Sequence, residues 1–136
     1  MSSTLTTPAG ATLTPPPGIT LKRIAERILA GDPETLAIKE FLDDWRCTRS
    51  PEAFIERPEM TGRPAIDVWL AGAAEALAFK LRQGPPEWAQ APERFLENPL
   101  FLRNSEAGRM ADLAETPACF RRRNLFCGQS RITELA

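Results

Sequence analysis

The chain has 136 residues, enough for one domain with a modest core, and its 43% apolar and 26% charged content is ordinary for a folded protein. A net charge of −1 excludes a global pull toward nucleic acid or an acidic membrane, so any such binding must come from a local patch. Histidine is absent, which removes the commonest general base and leaves a zinc site only cysteine and carboxylate ligands.

Residues Met1 to Gly18 carry no charged side chain and end in Thr14-Pro15-Pro16-Pro17-Gly18. They lack the cationic start and continuous apolar run of a secretory signal and read as a disordered Ser/Thr/Pro-rich arm over 1–18. Next, Leu21, Ile24, Ala25 and Ile28 recur at helical spacing, with Thr20 as cap and Gly31 as the stop. Asp32-Pro33-Glu34 opens a second helix with an N-cap carboxylate, a first-turn proline and an acid at the positive dipole end. Leu36, Ile38, Phe41, Leu42 and Trp45 are its expected buried side. Ser50-Pro51-Glu52 starts a short helix with Phe54 and Ile55 that Pro58 stops, and Met60 to Pro64 reads as a loop.

The clearest helix carries Ile66, Trp69, Leu70, Ala73, Ala74, Leu77 and Leu81 on one apolar stripe. Its thin middle, Ala71 to Ala74, allows a neighbour to approach closely, and Gly84 is expected at its C′ position before Pro85-Pro86. Pro86 to Phe101 mixes Trp88, Phe95, Leu96, Leu100 and Phe101 with prolines, and reads as an ordered loop with short helical turns lying over the core. Asn104-Ser105-Glu106 starts a helix with Met110, Leu113 and Ala114 inward, and Thr116-Pro117 starts a last one through about Arg123. Leu125-Phe126-Cys127 is extended, and an isolated strand there could pair only with another chain. The predicted fold is all-α: a compact bundle of about five to six short helices with proline-rich connections, a single domain over 19–127, and a loose tail over 128–136.

Arg121-Arg122-Arg123 is the most informative cluster. Three adjacent cations persist only where acids or phosphates neutralise them, and on a helix they point about 100° apart, so at most one or two reach a common partner. One reading is an internal clamp on Glu115 or another acid, with the remainder solvated. The other is an acidic docking partner, for which arginine's forked contacts are suited. Lys22, Arg23 and Arg27 followed by a second helix suggest helix-turn-helix, but Asp32, Glu34, Glu40, Asp43 and Asp44 on that second helix repel phosphates. Asp43 and Asp44, with Glu40, form an acidic cluster without metal-loop spacing, read as a solvated face or a counter-charge for the arginine run. No phosphate loop or nucleophile–base signature occurs, so no enzyme, cofactor or metal is expected. Cys47, Cys119 and Cys127 are odd in number and widely spaced, which fits reduced thiols and a cytoplasmic setting. No segment approaches the ~20 apolar residues of a membrane span. Trp45, Trp69, Trp88, Phe95, Phe101, Phe120 and Phe126 belong mostly to the core, with Trp88 and Phe126, in irregular segments, as candidate interface anchors.

Pro86 and Trp88, then Arg94-Phe95-Leu96, Pro99 and Phe101, and finally Glu115-Thr116-Pro117, Phe120-Arg121-Arg122-Arg123 and Phe126 form a spaced series. In this series the chain resembles small bacterial proteins encoded in toxin–antitoxin-like pairs, similar to antitoxins or regulators that accompany nucleotidyltransferase-like toxins. The resemblance implies a protein partner and autoregulation of an operon, although no DNA-reading domain precedes the motif. The leading expectation is a non-catalytic, antitoxin-like protein-binding module that docks Trp88, Phe120, Arg121, Arg122, Arg123 and Phe126 on an acidic partner. A small DNA-binding regulator using Lys22, Arg23, Arg27 and the arginine run is the second, and an enzyme built on Asp43 and Asp44 the third.

Overall fold

The computed structural model describes residues 18–103 and 105–127; the expected arm (apart from Gly18) and the tail over 128–136 lie outside the described residues. Six α-helices succeed one another there: α1 Leu21–Leu29, α2 Glu34–Thr48, α3 Glu52–Ile55, α4 Pro64–Lys80, α5 Glu106–Glu115 and α6 Ala118–Arg121. Two 3-10 turns, Glu87–Gln90 and Pro92–Arg94, interrupt the connection after α4. The fold is all-α, with one addition: the extended Leu125–Phe126 (β2) pairs in parallel with Leu100–Phe101 (β1). The expected lone strand therefore finds its partner within the chain, across a connection that contains α5 and α6.

The helix starts and stops follow their local chemistry. Thr20 accepts the Arg23 N–H at 3.0 Å and caps α1. Gly31, at φ +105°, closes α1: its own N–H bonds the Ile28 carbonyl, and the next N–H, from Asp32, bonds Arg27. The Asp32 carboxylate does not cap α2 as expected; it takes the Arg27 guanidinium at 2.9 Å. At the end of α4 the same backbone closure is made by Arg82, at φ +60°, and not by the expected Gly84. The Arg82 and Gln83 N–H groups bond Phe79 and Ala78, which fixes the left-handed residue two positions early.

Helix α4 is the central post. Every residue from Ile66 to Ala78 except Glu75 is buried, because α3, α6, β2 and both 3-10 turns pack around it. Its thin middle receives α6. A Cβ at Gly72 would lie 2.5 Å from the Phe120 ring, so the glycine is what lets Phe120 seat there, with Trp69 stacked beside it at 6.3 Å. Gly18, assigned by sequence to the arm, packs on Asp44, whose carboxylate accepts the Ile19 N–H at 2.8 Å.

Two expected inward faces turn out differently. Leu36 on α2 is exposed. On α5, Met110, Leu113 and Ala114 all point outward, and the buried residues are Gly108 and Asp112. Asp112 is fully buried and takes the Arg103 guanidinium at 2.6 Å, so α5 is anchored by an ion pair instead of an apolar stripe. Thr116 completes the anchor. Its hydroxyl accepts the Cys127 N–H at 3.2 Å and can donate to the carbonyls of Asp112 and Cys127, which ties the end of α5 to the end of β2.

Candidate functional site

The arginine run sits at the junction of α6, the middle of α4 and the 3-10 turns. Arg121, the last residue of α6, points away from the other two, whose guanidiniums converge on one acid. Arg121 turns back to α5 and donates to the carbonyls of Leu113 (2.5 Å) and Thr116 (3.1 Å), while covering the Phe126 ring at 5.7 Å. Arg122 reaches Glu75 in a forked contact, Nη2 at 2.7 Å and Nε at 3.2 Å, and also donates to the Gln90 side chain. Arg123 is fully buried; its Nη1 donates to Glu75 at 2.6 Å and to the Cys119 carbonyl, and its Nη2 to the Ala89 carbonyl. Phe95 lies under both, 5.5 Å from the Arg122 guanidinium and 4.7 Å from that of Arg123.

Glu75 is thus the counter-charge of the run. It is neither Glu115, which lies 3.6 Å from Arg103, nor the acidic cluster of α2. Burial pushes the Glu75 carboxyl up, but hydrogen bonds and charge from Arg122 and Arg123 outweigh it and hold the group below its ordinary value. Burial likewise draws Arg123 down from the usual arginine value, opposed by Glu75. Sequence reasoning missed Glu75. The available signal was a single acid inside the otherwise apolar run from Val68 to Ala78.

A second buried arginine, Arg94, braces the same wall. It donates to the carbonyls of Asp67 (3.1 Å) and Pro58 (2.6 Å) and stacks on Trp88 at 5.0 Å. The Trp88 indole N–H bonds the Phe54 carbonyl at 2.9 Å. Asp67 in turn gathers the loop before α4 by accepting the Thr61 N–H and hydroxyl.

The expected docking set is therefore divided. The structure brings Phe120, Arg122 and Arg123 together around α4. Phe120, Arg123 and Phe126 are buried in the chain's own packing, Phe126 stacked 4.8 Å from Phe101. Trp88 is half-buried with its polar end satisfied. Arg121 and Arg122 remain exposed. The buried members hold the site's shape, because a side chain without free surface has none to offer a partner.

Beside the clamp lies an open, mostly apolar groove of about 420 Å³. Ala76 and Phe79 from α4, Pro85 from the following loop, and Pro117, Ala118 and Cys119 at the start of α6 line it, with Glu75 at its edge. Phe79 is 80% exposed there, a position that the sequence reading left out. Burial, with the nearby Glu75 charge, raises the Cys119 thiol to about 11, so it is a poor nucleophile.

The other candidate clusters are engaged in ion pairs. Lys22 lies 3.7 Å from Glu56, Arg23 3.3 Å from Glu26, and Arg27 2.9 and 2.7 Å from Asp32 and Glu40. Asp43 pairs with Lys39 at 2.8 Å and Arg46 at 3.5 Å. Among the described residues no group of three or more acids and cysteines could hold a metal ion, and no helix is long and apolar enough to cross a membrane. No protein-family model, curated protein or solved structure matches the chain.

Proposed function

We propose that the chain is a non-catalytic protein-binding module, antitoxin-like, that docks on an acidic surface of a partner protein in the bacterial cytoplasm. The observation that carries this reading is a charge imbalance at the surface: two guanidiniums share the single carboxylate of Glu75, and the outer one, Arg122, is 44% exposed. Arg121, turned toward α5, is a second exposed cation of the run. Such a surface steers acidic partners and sets specificity. The antitoxin-like character rests on the resemblance of the segment from Pro86 to Phe126. The DNA-binding alternative gains nothing from α1, whose cations already have acidic partners.

The test is affinity capture with the tagged chain from cells of its source, with mass spectrometry and nucleic-acid staining of what elutes. One stoichiometric protein is expected, lost with Arg122→Gln while circular dichroism shows the fold retained. Salt-labile nucleic acid without protein overturns the reading.

A further inference from the structure

We infer that the groove between Phe79, Pro85 and Pro117 seats an apolar side chain of an acidic partner segment, whose carboxylate neutralises the spare charge of the Arg122–Glu75–Arg123 clamp. The inference rests on the docking reading and names the chemistry that the partner must bring.

Groove and clamp form one surface because Glu75 belongs to both. Glu75 and Phe79 are four residues apart on α4, hence on one face a single turn from each other. Cys119 lines the groove, and its carbonyl holds Arg123. The groove exists because Ala76 and Ala118 are too small to close it, while Pro85 and Pro117 fix the backbone on either side. A wall of this kind is preformed, so filling it costs little ordering entropy. Its volume lies within the ~300–1,000 Å³ range of sites that bury a compact ligand group. Phe79, left almost bare, is the natural anchor, since aromatic contacts at the centre of an interface carry much of the binding energy.

Charge selects the occupant. The clamp holds two cations and one anion, and among the described residues no other carboxylate lies within ion-pair distance of Arg122 or Arg123. The Arg122 Nη1 has no described hydrogen-bond acceptor, which leaves a donor free on the exposed side. The groove's own charged lining group is Glu75, already taken by two guanidiniums, so a basic segment meets an engaged carboxylate there, and a purely apolar one leaves the clamp's extra positive charge unanswered. A segment with an aliphatic or aromatic residue beside Asp or Glu satisfies both requirements.

The test places a photo-crosslinking phenylalanine derivative at Phe79 in the full chain, expressed in cells of its source, with a control at exposed Leu29 on α1. The expected cross-link maps to an acidic, apolar-containing segment of another protein. It falls by on the order of tenfold to a hundredfold with Arg122→Gln, the worth of one charge-assisted contact. Cross-links to residues 128–136 of the same chain, to a second copy, or to nucleic acid each overturn the inference, as does a yield at Phe79 no greater than at Leu29. If affinity capture of a partner survives Phe79→Ser but not Arg122→Gln, the groove is excluded while docking through arginine stands. Loss of capture by neither variant sinks both.

Discussion

Replacing Glu75 with glutamine removes the only carboxylate of the clamp and changes little else in size. Arg123 then remains fully buried with its Nη1 facing a neutral amide. Removing one member of a buried ion pair costs ~3–5 kcal/mol, because the remaining charge stays desolvated. Glu75 is 22% exposed and Arg122 about half exposed, so solvent screens part of the loss, and we expect about 2–4 kcal/mol. Urea unfolding at neutral pH should show a lower midpoint with an unchanged slope. Adding Arg123→Met to Glu75→Gln should recover part of the loss, since the orphaned charge goes with it. The acid limb gives an independent check. The folded-state carboxyl of Glu75 lies below its ordinary value of 4.5, so its contribution is present above that pH and disappears as pH falls through the folded value. The gap between wild type and Glu75→Gln should therefore narrow on acidification. A loss under about 1 kcal/mol, or a gap that does not change with pH, refutes the clamp as a stabilising unit.

Gly72→Ala forces a methyl to within 2.5 Å of the Phe120 ring, and the expected overpacking cost of about 1–3 kcal/mol exceeds the helix-propensity gain of up to about 1; an unchanged melting temperature contradicts the close approach. Thr116→Val removes the buried hydroxyl that links the Asp112 carbonyl to the Cys127 backbone, and chemical unfolding should register a loss of about 1–3 kcal/mol. Timed alkylation near neutral pH, read by mass spectrometry, should label exposed Cys47 first and Cys119, raised to about 11, far more slowly; buried Cys127 should react only on unfolding.

The helices were legible in the sequence wherever the chemistry that makes them is local. Thr20 and Gly31 mark the ends of α1 through bonds to residues within a turn or so, and the apolar stripe of α4 is continuous enough to stand without knowledge of its neighbours. What could not be read depended on distant residues. The pairing of Leu100–Phe101 with Leu125–Phe126 spans a connection of two helices, and two-residue strands leave no periodic trace. Apolarity alone points Met110 and Leu113 of α5 inward, whereas its inward side is held by Asp112 on Arg103. Glycine tolerates positive φ best, which points to Gly84, yet the backbone bonds to Phe79 and Ala78 put the turn at Arg82.

The arginine run shows how a single motif can serve both fold and surface. Its neutralisation by an acid was legible from charge alone, but the choice of Glu75 required the fold, because that residue stands about 47 positions away in sequence. The helix ends at Arg121, and the turn that follows brings the next two guanidiniums to one acid: Arg121 reaches carbonyls at the end of α5, while Arg122 takes Glu75 from the exposed side and Arg123 from the buried side. Lysine could not substitute at the innermost position. Arg123 joins Glu75, Cys119 and Ala89 through two nitrogens of one planar fork, and an ammonium concentrates its donors at one point. The buried arginine fixes Glu75, Glu75 fixes Arg122, and Arg122 is held half-exposed beside the groove; the charge offered at the surface is therefore positioned by the core.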